Sequence, residues 1–329
     1  MDLLVLGGSG FVGRALVDEG LSRGWRVTTL NRGTRPPVDG VTALTGDRAA
    51  PGGLAALGDR SWDVVADTWS WAPAAVRTSA AVLAERADRY VYVSSRSVYS
   101  YPAAAGAAED APLVDASSSD TRFDDYARAK AGAEAGVTEA FGDRGILLRA
   151  GLILGPHEDI GRLPWWLGRI ARGGVVLAPG DPAAGIQFVD ARDLAAFALT
   201  AAEHGAGGPF NVVSPVGFAT MSDLLGACVD ATGSTAQLRW VGADALLAAG
   251  VEPWTDLPAW LPPGEAHDTM HAADVSRAIA AGLSFRPVGE TVADTWSWLL
   301  GIGGVAPHRA DRPPVGLDPE TEAVVLASL

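Results

Sequence analysis

Two residues four positions apart, Tyr126 and Lys130, have the types and the spacing for proton transfer. Residues at i and i+4 lie on one face of a helix, so the ammonium can sit beside the phenol and stabilise its anion, drawing a pKa of about 10 towards neutral pH. Lys130 is the only lysine among the 25 lysine and arginine residues of this 329-residue chain. Arginine cannot replace a compact ammonium at such a position, because its fork is wide and keeps its proton. The pair therefore indicates a chemical role for Lys130 beside Tyr126.

A run of glycines near the N-terminus has the spacing of a phosphate-binding turn. Gly7, Gly10 and Gly13 follow an apolar run at 3–6 and precede a helical stretch. Glycine allows the tight turn and the close approach of the main chain to a pyrophosphate, which then rests on the amides at the start of the helix. The sequence thus predicts a dinucleotide site. Further contacts are expected from Ser9, Phe11 and Val12.

The end of the second predicted strand indicates which dinucleotide binds. NAD sites usually carry an acidic residue there for the ribose 2′-hydroxyl, whereas this chain has Asn31 and Arg32, both predicted cofactor contacts. Arg32, helped by Arg35 or Arg14, suits a 2′-phosphate. NADP(H) is therefore predicted in preference to NAD(H). Asp47, after the third predicted strand, either accepts a hydrogen bond from the adenine amino group or only shapes a turn.

A parallel sheet is needed to bring these residues together. Short β-branched runs alternate with helical stretches in the first half of the chain, which is the βαβ pattern of an α/β fold. The order predicts a Rossmann-type doubly wound parallel sheet with helices on both faces and ligands at the carboxyl ends of its strands. Strands are predicted over 3–6, 26–30, 41–45, 63–68, 89–95 and 145–149, and helices over 11–23, 73–86 and 123–141.

Beyond residue 155 the alternation loosens into short mixed elements with clusters of proline and tryptophan. This change predicts a smaller mixed α/β C-terminal cap that binds the substrate over the carboxyl edge of the sheet. The predicted units are an NADP-binding Rossmann domain over 1–155 with parts of 185–215, a cap over 156–184 and 216–300, and a tail over 301–329 with a helix at 319–326.

Three segments together resemble the extended type of the short-chain dehydrogenase/reductase superfamily. They are the glycine run at 7–13, the run at 93–99, and Tyr126 with Lys130. Further stretches keep the likeness over about residues 1–300, although Asp125 stands where the family often has proline.

The resemblance implies a role for each member of a catalytic set. Ser95 would hydrogen-bond the substrate oxygen, Tyr126 would give or take the proton, and Lys130 would bind the nicotinamide ribose and lower the tyrosine pKa. Ser94 and Thr68 are expected to face the cofactor.

The chemical nature of the substrate is predicted partly from residues that the resemblance would imply and that this chain lacks. Epimerases of sugar nucleotides commonly carry an Asn shortly after the arginine that matches Arg149 and an Arg before the segment that matches 187–195, both to bind the diphosphate. The matching stretches here, at 150–152 and 185–187, contain neither residue. Trp69 and Trp71 follow the fourth predicted strand and indicate an apolar or aromatic pocket, although packing in the core is the alternative. His157 is a further candidate for the pocket.

Three functions remain open at this stage. The first is an NADP(H)-dependent oxidoreductase that transfers hydride between nicotinamide and a carbonyl or imine of a small apolar molecule. The second is an NAD(P)-dependent epimerase or dehydratase, for which a sugar nucleotide is one substrate. The third is a non-catalytic nucleotide-binding or RNA-associated protein, which the intact Ser95, Tyr126 and Lys130 set disfavours.

Charge and composition exclude several partners. A net charge of −14 repels nucleic acid and anionic lipid, and no apolar run reaches the ~20 residues of a membrane span. A cytoplasmic protein is expected, with a buried Cys228 and no metal site, since His267 and His271 lack a third ligand. The family resemblance implies a homodimer through the helices at 73–86 and 123–141 as one option beside a monomer.

Overall fold

The computed structural model describes residues 1–305, 307–309 and 313–327. The strands are β1 (Asp2–Leu6), β2 (Arg26–Asn31), β3 (Thr42–Thr45), β4 (Trp62–Asp67), β5 (Ala87–Ser95), β6 (Gly145–Ala150), β7 (Leu152–Leu154), β8 (Val175–Pro179), β9 (Gly185–Ile186), β10 (Phe188–Asp190), β11 (Gly208–Val212), β12 (Ala219–Thr220) and β13 (Gln237–Val241). The α-helices are α1 (Phe11–Ser22), α2 (Pro73–Leu83), α3 (Tyr126–Phe141), α4 (Arg162–Ala171), α5 (Ala191–Glu203), α6 (Met221–Thr232), α7 (Ala243–Ala248), α8 (Glu265–His271), α9 (Ser276–Ala280), α10 (Val288–Gly301) and α11 (Pro319–Ala327).

Seven strands form one parallel sheet in the order β3-β2-β1-β4-β5-β6-β11. The order reverses between β1 and β4, so the loops that leave these two strands diverge and open a crevice at their carboxyl ends. This arrangement confirms the predicted doubly wound sheet.

Helices cover both faces of this sheet, as buried parallel strands require. On one face, α1 and α5 pack together, with Leu16 and Leu199 in a core that includes Val5. On the other face, α2 and α3 pack together, with Val76 and Val137 in a core that includes Tyr90. Residues that leave the carboxyl ends of the strands are thereby held on a rigid base.

A second, smaller unit has its own core of mixed helices and strands. Trp166 of α4, Leu225 of α6 and Leu299 of α10 are buried together there, beside the parallel pair β8 and β13. The predicted C-terminal helix is α11, whose Glu322 accepts hydrogen bonds from Arg169 Nε at 2.5 Å and from the Leu177 amide at 3.0 Å. The rest of the predicted tail at 301–329 lies partly outside the described residues.

Two helix ends differ from the sequence prediction, and for the first the reason is local. The helix predicted over 123–141 begins at Tyr126, because the Asp125 side chain accepts a hydrogen bond from the Arg128 amide at 2.8 Å and caps the first turn. The helix predicted over 73–86 ends at Leu83. Among the described residues, every helix is too short or too polar to cross a lipid bilayer.

Candidate active site

A cavity of about 720 Å³ opens at the carboxyl edge of the sheet, between the Rossmann strands and the cap. Predicted site residues from four separate segments of the chain meet in its wall. Nine of the predicted site residues line it: Gly10, Phe11, Val12, Gly13, Thr68, Ser94, Ser95, Tyr126 and Lys130.

The glycine turn at the start of α1 fits the pyrophosphate of a dinucleotide. Gly7 has a φ of +103°, and a Cβ there would lie 2.3 Å from Thr68 Oγ1. A Cβ on Gly13 would lie 2.0 Å from the Gly7 carbonyl oxygen, so both positions need glycine for packing. Gly10 differs, because a Cβ there would point into open space within the cavity wall, and among the described residues no side chain caps the helix behind it. The first turn of α1 therefore presents its amides and the positive end of its dipole to a cradle that suits an anionic group.

The Lys130 ammonium is buried at the centre of the site, with 2% of the residue exposed. Its Nζ donates hydrogen bonds to the Trp69 and Val93 carbonyl oxygens, each at 2.7 Å. The same nitrogen lies 4.7 Å from the centroid of the Tyr92 ring and 6.0 Å from that of Tyr126. The α3 helix thus holds a positive charge beside the phenol, as the i, i+4 spacing predicts.

The serines at the end of β5 lie in the same wall. Ser95 accepts a hydrogen bond from the Ser97 amide at 3.1 Å and donates one to Ser97 Oγ at 3.1 Å, which fixes its hydroxyl at the strand end. The Ser94 hydroxyl is buried and makes no hydrogen bond within the described chain. A buried hydroxyl without a partner is costly, so its position in the wall suits a polar ligand.

The predicted contacts for the adenosine end lie outside the cavity wall. Ser9 Oγ is 3.5 Å from Asn31 Oδ1, whereas Arg32 is exposed to solvent. Arg35 is engaged within the protein, since it donates to the Ser9 carbonyl oxygen at 3.3 Å and to Asp159 at 3.0 Å. Asp47 is exposed and accepts from the Ala49 amide at 3.0 Å, which is the geometry of a turn aspartate.

The aromatic residues predicted to line the substrate pocket lie elsewhere. The Trp69 ring packs at the edge of the core with Arg48 above it at 5.0 Å, and its Nε1 donates to the Ala72 carbonyl oxygen. Trp71 packs edge to face against Phe123, with ring centroids 5.0 Å apart. Neither side chain lies in the cavity wall, and the substrate role predicted for both stays a prediction.

His157 is likewise absent from the cavity wall. It has a φ of +69°, and its ring lies 5.3 Å from that of Trp298. Burial, together with the nearby charge of Arg14, lowers the pKa of its imidazole.

Sequence reasoning missed a group of cations in the wall, which includes Arg96, Arg162 and Arg309. Arg96 directly follows Ser95, so its position after the strand end was a usable signal. Arg162 begins α4, with its guanidinium 5.2 Å from the Trp254 ring. Arg309 comes from the C-terminal tail, and nothing in the local sequence links that segment to the sheet edge. The cavity is therefore less apolar than the tryptophan pattern predicted.

A buried carboxyl group lies beside the cavity at the entry to the cap. Glu158 is 0% exposed and accepts hydrogen bonds from the amides of Arg162 at 2.7 Å and Leu163 at 3.1 Å. Burial raises the pKa of this carboxyl group to about 7, although the Arg162 charge and the two amides oppose the shift. The next residue, Asp159, lines the cavity and pairs with Arg35.

Comparison with known proteins relates this site to a family. Residues 3–213 match the model of the NAD dependent epimerase/dehydratase family. A comparison with curated proteins finds no match. Among solved structures, the Bordetella bronchiseptica enzyme WbmH in complex with NAD+ is 18% identical with a TM-score of 0.67, over 92% of this chain and 99% of that chain.

Two further structures have a similar fold. UDP-N-acetylglucosamine 4-epimerase from Bacillus cereus is 16% identical with a TM-score of 0.66, over 92% of this chain and 100% of that chain. UDP-glucose 4-epimerase from Thermus thermophilus, in complex with NAD, is 20% identical with a TM-score of 0.62, over 92% and 99% of the two chains. At these identities the likeness shows a shared fold.

Proposed function

The chain belongs to the NAD dependent epimerase/dehydratase family, and we propose that it transfers hydride between a nicotinamide dinucleotide and a substrate carbon that bears a hydroxyl or carbonyl group. One observation carries the proposal: a single cavity joins the Gly10 cradle to Ser95, Tyr126 and Lys130. A cofactor with its pyrophosphate at the start of α1 would extend across β4 towards β5, where these three side chains lie.

The bound nicotinamide ring would supply the hydride acceptor or donor. Tyr126 moves the proton of the substrate oxygen, as acid in one direction and as base in the other. Lys130 stabilises the tyrosine anion through its charge, and the two carbonyl oxygens that hold its Nζ keep that charge in position. Ser95 hydrogen-bonds the substrate oxygen, and its contact with Ser97 limits the rotation of the hydroxyl.

Family membership favours a cycle in which the cofactor is reduced and reoxidised within one turnover, as in an epimerase. Loss of water from a neighbouring carbon would need an additional acid and base there. Among the described residues of the wall, Asp159 is the one carboxylate, and it pairs with Arg35, which also contacts the glycine turn. The wall near Ser95 therefore supports epimerisation better than dehydration.

A second candidate is an NADP(H)-dependent reductase of a carbonyl or imine. It is favoured by the end of β2, where Asn31 and the exposed Arg32 stand in place of a carboxylate. This composition supports a 2′-phosphate, and NADPH is commonly consumed from solution by reductases. Aromatic side chains in the wall, Tyr99, Tyr101 and Trp254, support an apolar or aromatic carbonyl substrate for this reaction.

Cofactor titration tests both candidates. Tryptophan and nicotinamide fluorescence would be followed with NADPH and NADH, in the wild type, in Arg32→Ala and in the exposed control Arg172→Ala. We expect NADPH to bind tightly and Arg32→Ala alone to weaken it about tenfold, the usual scale of one charge-assisted contact. Equal binding of NADH and NADPH would remove the NADP preference, and binding of neither would overturn the proposed function.

Turnover then separates the candidates. UDP-sugars would be followed by NMR for epimer formation without net cofactor consumption, and aromatic ketones and imines for NADPH oxidation. Epimer formation that Tyr126→Phe abolishes supports the first candidate. NADPH oxidation that depends on an added carbonyl compound supports the second.

A further inference from the structure

Arg96 carries a buried charge that no carboxylate within the described residues pairs with. The residue is 5% exposed, and its Nη1 donates to the Met270 carbonyl oxygen at 2.8 Å. Its Nε is buried and has no hydrogen-bond partner in the described chain. Burial lowers the pKa of the guanidinium to about 10.

Such an arrangement is costly for the protein alone. Buried charges are normally paired and fully hydrogen-bonded, because the desolvation of an unpaired ion is strongly unfavourable. An arginine retained in this state suits a ligand that supplies the missing charge.

The free edge of the fork has a specific shape. With Nη1 held by Met270, Nε and Nη2 remain on the opposite edge of the guanidinium, where two parallel N–H groups match the two oxygens of a carboxylate or of one phosphate face. Arg96 lines the cavity directly after Ser95. The anion would therefore lie close to the reacting carbon.

The cofactor pyrophosphate does not account for this charge. Its predicted cradle is at the end of β1, whereas Arg96 follows β5, two strands away in the sheet and roughly 10 Å across it. The charge of the cavity wall also favours an anionic ligand. Its described residues include the cations Arg96, Lys130, Arg162 and Arg309 against one acid, Asp159, in a chain of net charge −14.

We infer that the substrate carries an anionic oxyacid group, with a carboxylate as the best match to a single fork, and that Arg96 binds this group beside the reacting carbon. The inference rests on the proposed function for the identity of the reacting carbon. The anion site itself depends only on Arg96 and the cavity.

The test uses simple anions, so that it does not depend on finding the substrate. The Tm would be measured with 100 mM sodium acetate and with inorganic phosphate at matched ionic strength. A third sample would contain acetamide, the neutral analogue of acetate, with sodium chloride added to the same ionic strength. The proteins are the wild type, Arg96→Gln, Arg96→Lys and the exposed control Arg172→Gln, each with and without saturating cofactor.

We expect acetate to raise the Tm of the wild type and of Arg172→Gln by about 1–3 °C relative to the acetamide sample. Arg96→Gln should lose this shift, and Arg96→Lys should lose most of it because an ammonium has no fork. A shift with phosphate that exceeds the acetate shift, persists with saturating cofactor and is lost in Arg96→Gln would identify phosphate as the group and still support the anion site. Equal shifts in the wild type and Arg96→Gln, or no shift with either anion, would overturn the inference.

The two proposals can fail separately. If no dinucleotide binds, the anion comparison on the protein without cofactor still decides the role of Arg96. Suppose instead that the wild type and Arg96→Gln bind NADPH equally well and that neither anion raises the Tm. The hydride-transfer proposal would then stand, and the anion site would be rejected. Should Arg96→Gln fail to fold, Arg96→Lys and the wild-type acetate-to-acetamide comparison decide the result.

Discussion

The Nζ of Lys130 lies 2.7 Å from the carbonyl oxygen of Trp69, which joins α3 to the loop that leaves β4. The Tyr92 hydroxyl donates to the same carbonyl at 3.0 Å, and the Trp69 amide donates to Asp67 at 2.8 Å. A residue predicted to touch substrate through its side chain therefore contacts the candidate catalytic lysine through its backbone.

Replacement of Lys130 by arginine should keep the charge and remove most activity. Two carbonyl oxygens surround one nitrogen at 2.7 Å in a site with 2% exposure, so the broad guanidinium cannot take the same position beside Tyr126. We expect turnover to fall about 100-fold or more, the scale of a lost acid–base contribution. The matched control is Arg128→Lys, the reverse exchange at an exposed position of α3. Unchanged turnover in Lys130→Arg would contradict the inference that this position requires lysine.

Alanine at two glycines should separate packing from ligand binding. Gly13→Ala places a Cβ 2.0 Å from the Gly7 carbonyl oxygen, so we expect a lower Tm and loss of cofactor binding together. The added methyl group of Gly10→Ala has none of the described, non-adjacent residues within 4 Å, so the Tm should fall by a few degrees at most. The same methyl group should obstruct the cradle and weaken cofactor binding. Thermal unfolding and cofactor titration of both variants measure the difference. Full cofactor affinity in Gly10→Ala would place the pyrophosphate elsewhere.

Asp67→Asn should destabilise the protein because it leaves Arg48 without a counter-charge. The pair is buried, with two hydrogen bonds of 2.7 Å between the guanidinium and the carboxylate, and the Tyr90 hydroxyl donates to the same carboxylate at 2.6 Å. Removal of one partner of such a pair costs about 3–5 kcal/mol in the free energy of unfolding. Urea denaturation measures this cost. Arg48→Met combined with Asp67→Asn should recover part of it, because this pair of changes removes the unpaired charge and leaves an acceptor for the Tyr90 hydroxyl. A single variant as stable as the wild type would contradict the charge argument.

Glu158 should make stability fall as pH rises from about 4.5 to about 7. Its native pKa is about 7 against an ordinary value of 4.5. Between these values the folded state holds a proton that the unfolded state has lost, so the free energy of unfolding decreases with rising pH over this window. The difference between the two pKa values corresponds to about 3 kcal/mol across that window. Urea denaturation of the wild type and Glu158→Gln from pH 4.5 to 8 tests this prediction. The variant should gain stability relative to the wild type as pH rises, and a constant difference between the two would refute it.

Local patterns in the sequence were sufficient for the sheet and for the parts of the site that depend on neighbours along the chain. The spacing of Gly7, Gly10 and Gly13 marks a turn between strand and helix, and Tyr126 with Lys130 share one face of α3. The predicted strands agree with β1 to β6 within one or two residues. These features follow from backbone chemistry and from periods of two and 3.6 residues, which a short segment contains in full.

Only the tertiary structure decided which way side chains face and what surrounds them. The Trp69 side chain packs against the core. Arg96 is buried without a carboxylate partner among the described residues, and Arg309, near the C-terminus, lines the cavity. The direction of a side chain after a strand end and the dehydration of a charge depend on packing between segments that are distant in sequence. Periodicity within one segment carries no information about that packing, so the fold class and the proposed proton-transfer pair were predictable, whereas the cationic wall of the cavity was not.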